Sequence, residues 1–207
     1  GTFTVPPGVT EITIEAWGGG GRGGFQNKSG QAGGGGSGAY SKSTFKVKEN
    51  DEFSITVGRG GRFTQTGVKN GEESKVTNAN DASDVKVLAK GGISVSSIND
   101  PNGALGGQVV AGETVGIDKK SPGKTGGDGD ASPTESGKGG NAPTINGGEG
   151  GSSVSGNSIG NDGKQPGGGG SGAASTGSGK NPGIGGNGQV KITFTQFTFT
   201  QATTGDF

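Results

Sequence analysis

The 207-residue chain contains no cysteine, no histidine and no methionine. Those absences remove thiol nucleophiles, disulfides, the usual zinc ligand sets and imidazole acid–base catalysis. Hydrophobic residues make up 24% of the chain, with one Trp and one Tyr, too few for a conventional core along the whole length. An excess of charge is missing too: 18 Lys and Arg face 18 Asp and Glu, without the basic surplus that nucleic-acid binders carry. No apolar run approaches the ~20 residues of a membrane span. Neither nucleic acid nor membrane insertion is therefore expected. Position 1 is Gly, which reads as a trimmed or processed start, one route being removal of a signal peptide. An extracellular location is the expectation.

What the chain has is glycine, at 52 positions. Such a composition without a collagen period ordinarily signals disorder. Yet "GGGGSGA" occurs twice, at Gly33–Ala39 and Gly167–Ala173, each time leading on towards a strand-like segment. Glycine has no side chain with which to order itself, so only backbone hydrogen bonds and close backbone packing remain. A polyproline-II-type helix has three residues per turn and points its N–H and C=O groups outward. Several such rods side by side can bond one another where contact positions lack a Cβ. Each bond contributes ~0.5–1.5 kcal/mol against ~1–2 kcal/mol of ordering cost per residue. A bundle of rods is thus marginal alone and needs a β-sandwich or a neighbouring subunit as template. The two copies are expected to be rods of one bundle.

Strand patterns fall mainly in 2–17, 39–57, 85–90 and 188–200, and glycine-rich tracts mainly in 18–38 and 91–188. No segment has helical periodicity. "VTEITIEAW" (Val9–Trp17) puts Ile12, Ile14 and Ala16 on one face. "AYSKSTFKVK" and "FSITV", joined by "NDE", read as a hairpin. "GQVKITFTQFTFT" (Gly188–Thr200) changes phase at Gln196, which suggests a bulge or a second role for the tail.

"FTVPPGVTEITIEAWGGGGRGG" and "GGGGSGAYSKSTFKVKENDEFSITVGRGG" resemble the opening of a glycine-rich domain family of secreted bacterial and phage tail proteins, and "GGNGQVKITF" resembles its closing strand. The resemblance implies an all-β fold: a jelly-roll-like β-sandwich carrying polyglycine-II-type helices, with essentially no α-helix. It is similar in this to the glycine-rich extracellular domain of a receptor tyrosine kinase and to the tips of some phage tail-fibre adhesins. The whole chain, 1–207, reads as a single domain.

Chemical motifs do not survive their context. "SPGKTGG" (Ser121–Gly127) has Asp118 where a phosphate loop needs Gly, and "GGGGRG" (Gly18–Gly23) lacks the following helix. "GGDGDAS" offers Asp128 and Asp130 to a hard cation, but a solvated turn is the ordinary reading. Asn27-Lys28-Ser29 fits a glycosylation acceptor. Glu11 and Glu15 share a strand face roughly 13 Å apart, wider than the ~5–9.5 Å that glycoside hydrolysis uses. Arg22, Arg59 and Arg62 are expected to cap rod carbonyls, with carboxylate or sugar binding as the other reading. Trp17 is expected to cover the sandwich end where the first rod begins; a sugar-stacking platform is its alternative.

The expectation is accordingly a non-enzymatic extracellular structural protein without cofactor or metal, which self-assembles into a homo-oligomer or polymer. Residues 196–207 form the assembly tail, with Phe194, Phe197, Phe199 and Phe207 as its contacts. The alternative is an adhesion module such as a phage tail-fibre tip. There Asn99, Asp100, Asn102 and Asp130 would meet a cell-surface glycan or protein receptor.

Overall fold

The alternation read in the second strand becomes an inside and an outside. In a computed structural model of the chain, which describes residues 1–64, 67–107, 118–129, 135–144 and 146–197, Ile12, Ile14 and Ala16 are buried while Glu11 is exposed. The strands are β1 (Thr2–Thr4), β2 (Glu11–Trp17), β3 (Ser29–Gln31), β4 (Tyr40–Lys46), β5 (Glu52–Thr56), β6 (Arg62–Thr64), β7 (Gly67–Lys69), β8 (Ser74–Asn78), β9 (Asp81–Ala89), β10 (Lys119–Ser121), β11 (Ala174–Thr176) and β12 (Gln189–Phe194). They pair antiparallel into two four-stranded sheets, β1-β5-β8-β9 and β10-β4-β2-β12, and two short ribbons, β11-β3 and β6-β7. Among the described residues there is no α-helix. The fold is all-β, a sandwich whose small core gathers Val5, Val9, Ile12, Ile14, Phe53, Val76 and Val87.

Several sequence expectations need correction. β4 and β5 are not a hairpin: they belong to different sheets, and the link between them is a corner. Asn50 takes a left-handed φ of 65° there, and the Asp51 carboxylate accepts from the Lys48 amide at 2.8 Å. The last strand ends at Phe194, so the change of phase at Gln196 lies beyond the ladder and makes no bulge in it. A bulge occurs instead between β8 and β9. β10 and β11 lie within the tract 91–188, read as mainly glycine-rich.

The glycine tracts are not loops, because the strand ladders run on into them. β2 and β4 end with Trp17 opposite Tyr40; thereafter Gly18 donates to Ala39, Gly21 to Gly36 and Gly24 to Gly33. One residue forward on the first segment is one residue back on the second throughout. β2 and β12 do the same, from Trp17 opposite Gln189 to Gly20 donating to Gly186 and Gly23 to Gly183. The β4–β10 ladder continues as Ser37 to Lys124 and Gly34 to Gly127, and the β3–β11 ladder as Gly35 to Gly170 and Gly38 to Gly167. β8–β9 and β5–β8 continue as Gly71 to Gly92 and Glu72 to Arg59.

What changes at the boundary is the direction of bonding. A strand bonds to neighbours in one plane. Along Gly33–Ala39, successive N–H groups rotate through three acceptor segments. Residues 33, 36 and 39 donate to the 90–100 segment, 34 and 37 to 124–127, and 35 and 38 to 167–170. The carbonyls of the same segment accept in rotation from 18–24, 104–107 and 137–140. The acceptor segment recurs every three residues. The two copies of GGGGSGA are thus direct neighbours, antiparallel to each other, and both lie against Gly18–Gly24.

Glycine is required because the approach is backbone to backbone. A Cβ on Gly35 would overlap the carbonyl oxygen of Gly21, and one on Gly23 that of Ser171. Serine is tolerated at one place in each copy, and there it has a task. Ser37 donates its N–H to Lys124 O while its Oγ accepts from Lys124 N at 2.8 Å. Ser171 and Asn161 repeat this reciprocal pair, and so do Ser136 and Val154. The hydroxyl stands in for a carbonyl where a rod would otherwise leave an amide unpaired.

Candidate functional site: the open sheet edge and the rod ends

Among the described residues, β12 closes one sheet and pairs only with β2, while β1 closes the other and pairs only with β5. The two edges meet through Phe3 and Phe194, whose ring centroids are 5.7 Å apart. The inward face of β12 carries Val190, Ile192 and Phe194. Val190 and Ile192 pack on the core yet stay only partly buried, as do Phe3 and Ile55 across the gap, and Phe194 is 37% exposed. The outward face carries Gln189, Lys191 and Thr193. Lys191, half exposed, reaches the largely covered Glu15 at 3.6 Å. Edges are commonly blunted by charged side chains, proline or bulges; β12 carries one such charge, Lys191 on its outward face, and has neither proline nor bulge. By the described residues alone, the core is therefore half covered along this edge.

Past β12 the chain turns beneath the Pro6–Gly8 corner. Gln196 donates its side-chain amide to Pro7 O at 3.0 Å, the Phe197 carbonyl lies against Gly8, and the Phe197 side chain is 63% exposed. Phe194 and Phe197 thus stand at the same end of the sandwich; Phe199 and Phe207 lie outside the described residues. The chain path from this end to the far end of the first rod runs the length of β2 and then of Gly18–Gly24. That is about 40 Å at ~3.3 Å per strand residue and ~3.1 Å per rod residue.

Three of the four residues expected to recognise a receptor are bonded within their own loop or to the 27–28 loop. Asn99, at φ 59°, accepts from the amides of Asn27 and Lys28 and donates to the Asn27 side chain at 2.7 Å. The Asp100 carboxylate accepts from the backbone and side chain of Asn102. Asp130 lies outside the described residues, and Asp128 accepts from Gly103 N at 2.7 Å. Among the described residues no three carboxylates gather into a group able to hold a metal ion. Nor is any helix there long and apolar enough to cross a membrane.

Two of the three arginines cap rod carbonyls as expected: Arg22 donates to Val95 O and Arg62 to Gly60 O, each at 3.0 Å. Trp17 is 1% exposed at the junction of sandwich and bundle. It packs on Tyr40 and Ala142 and directs Nε1 at Pro143 O and Thr144 Oγ1, both 3.3 Å away. Burial removes the sugar-platform alternative. Tyr40 donates to Glu15 at 2.7 Å. Burial first, and the Glu15 carboxylate second, push its phenol well above the usual tyrosine range.

Sequence reasoning missed the half-covered edge because the alternation of β12 says which face is apolar, not whether another layer covers it. It named Arg22 and Arg62 as candidates for carboxylate or sugar binding but missed the amphipathic groove they line, whose aromatic walls are Phe25 and Phe63. No curated protein matches the chain. A family model described as a glycine-rich domain matches residues 1–195. With its paired sheets and backbone-bonded glycine tracts, the chain belongs to the glycine-rich domain family.

Proposed function

We propose that the chain is a non-enzymatic, extracellular structural subunit whose copies join end to end into a fibre or surface appendage. The observation that carries this reading is the half-covered core along β12. A strand from a second copy laid beside β12 would extend its sheet and cover Val190, Ile192 and Phe194. Main-chain bonds would give such a joint its affinity, and alternate side chains its register. "TFTQFTFTQ" (Thr193–Gln201) has the required alternation of Phe and Thr, and Phe197 and Phe199 would take the inward positions. In this reading the sandwich is jelly-roll-like and the glycine tracts are polyglycine-II-type helices. Cross-bonded on several sides, they give a stiff body that needs few large apolar side chains, a property suited to a load-bearing element.

The test is negative-stain imaging of the purified chain and of a truncation ending at Thr195. Long polymers from the full chain and dispersed monomers from the truncation support the proposal. Monodisperse full-length monomers would overturn it, and equal polymers from both would remove the tail as the joint.

A further inference from the structure

Beside the rod that leaves β2 lies a groove of about 790 Å³, away from the β12 edge. Its apolar walls are Phe25, Phe63, Ile98 and Ile184. Phe63, Ile98 and Ile184 are 71%, 59% and 48% exposed, a concentration of uncovered apolar surface of the kind that marks interaction sites. Ser96, Ser97 and Asn181 add hydroxyl and amide groups. Among the described residues, the charged groups in its lining are Arg22 and Arg62, with no carboxylate among them. A volume in this range, apolar and aromatic walls, and a few convergent polar groups are the usual make-up of a small-ligand site.

Arg22 is the unusual member. It is 5% exposed, yet among the described residues no acid pairs with it, and its Nε has no hydrogen-bond partner. Its one side-chain bond is Nη2 to Val95 O at 3.0 Å, and its guanidinium lies 6.0 Å from the Phe63 ring centroid. Burial lowers its pKa from the ordinary value, the direction expected of a cation removed from water without a counter-charge. A buried guanidinium lacking a partner is costly, and glycine or alanine could fill a rod position without that cost. Arg62 is already engaged with Glu72 at 3.3 Å and Gly60 O, which leaves Arg22 as the uncompensated charge.

We infer that this groove is a binding site for a carboxylated sugar. The carboxylate would be met by the Arg22 and Arg62 guanidinium groups, the ring's C–H face by Phe63, and its hydroxyls by Ser96, Ser97 and Asn181. The planar guanidinium fork matches a carboxylate in geometry, and an aromatic face beside small hydroxyl and amide groups suits a pyranose better than a peptide's apolar side chains. The site is separate from the assembly edge, so each can fail without the other.

Calorimetric titration of the full chain with trigalacturonate and with 3′-sialyllactose tests it, with maltotriose and lactose as the neutral counterparts. The site predicts that at least one acidic sugar binds roughly tenfold or more tightly than its neutral counterpart, since a charge-assisted bond carries that difference. Binding should weaken as salt rises. Phe63→Ala and Arg62→Gln change exposed or half-exposed side chains and should each weaken acidic-sugar binding several-fold, with the far-ultraviolet circular dichroism unchanged. Arg22→Gln should abolish binding, and the two outer variants keep the test open if that variant does not fold. Equal affinity for acidic and neutral sugars, no binding by the folded wild-type chain, or binding indifferent to both outer variants would overturn the assignment.

Discussion

Replacing Gly35 by alanine adds one methyl group at the point where three rods meet. Gly35 donates to Gly170 and accepts from Gly140; its new Cβ would overlap Gly21 O and stand 2.7 Å from the carbonyl carbon of Arg22. Ordinary contact begins near 3.4 Å, so the 33–39 rod must retreat from the 18–24 rod by roughly 1 Å. Three bonds tie those rods, at 3.0, 2.7 and 2.9 Å, and such a retreat carries them to or past the limit of a useful hydrogen bond. Losing two and leaving their buried groups unpaired costs about 2–6 kcal/mol at ~1–3 kcal/mol each. That is a large share of the ~5–15 kcal/mol that holds a typical domain folded. Urea unfolding followed by the fluorescence of Trp17, the only Trp, reads the change at the junction of sandwich and bundle. Gly127→Ala is the matched control, because Gly127 is exposed and its nearest neighbour to an added Cβ is Lys138 N at 3.3 Å. Both variants share the ~0.4–1 kcal/mol that alanine gains by restricting the unfolded chain, so their difference isolates the clash. Equal midpoints for the two would refute the reasoning.

Ser37→Ala and Ser171→Ala should each destabilise the chain by about 1–3 kcal/mol, because Lys124 N and Asn161 N lose their acceptors; denaturant midpoints of the two single variants check this. Tyr40 is the only Tyr, so phenolate absorbance reports it alone, and its titration should lie well above the ordinary value of 10.0. A phenol whose folded pKa is raised stabilises the fold fully below the unfolded pKa and loses that contribution as pH rises above about 10. Tyr40→Phe should flatten the fall in stability over that alkaline range, measured by urea midpoints at stepped pH. The Thr195 truncation, besides failing to polymerise, should keep the unfolding free energy of the intact monomer to within about 1 kcal/mol, since it removes residues beyond the last ladder.

The sandwich was legible where side chains alternate. Ile12, Ile14 and Ala16 announce β2, and Val190, Ile192 and Phe194 announce β12. β8 escaped because "SKVTN" is short and polar on both faces, and its one fully buried apolar side chain, Val76, makes no pattern. The β4–β5 corner passed for a hairpin because Asn50 and Asp51 suit a tight turn in either setting. That glycine tracts could order only through their backbone was legible, but the order of neighbours was not, because residues without side chains carry no label for their partners. One signal was present and unused. The serine stands at the same place in both copies, and both hydroxyls complete the same reciprocal bond. The groove was hidden because Arg22, Phe63, Ile98 and Ile184 are far apart in the chain and converge only once the rods are stacked.

The account rests on the glycine amides being bonded to one another as firmly as those of the sheets they extend. Hydrogen exchange of backbone amides, resolved residue by residue by NMR, measures this directly. Gly20, Gly21 and Gly23, Gly34 to Gly36, and Gly169 to Gly172 should exchange as slowly as Ile14 in β2, opening only when the whole domain opens. If those amides exchanged at the rate of an unfolded chain while Ile14 stayed protected, the rods would be solvated loops beside a small sandwich, and the account would fail.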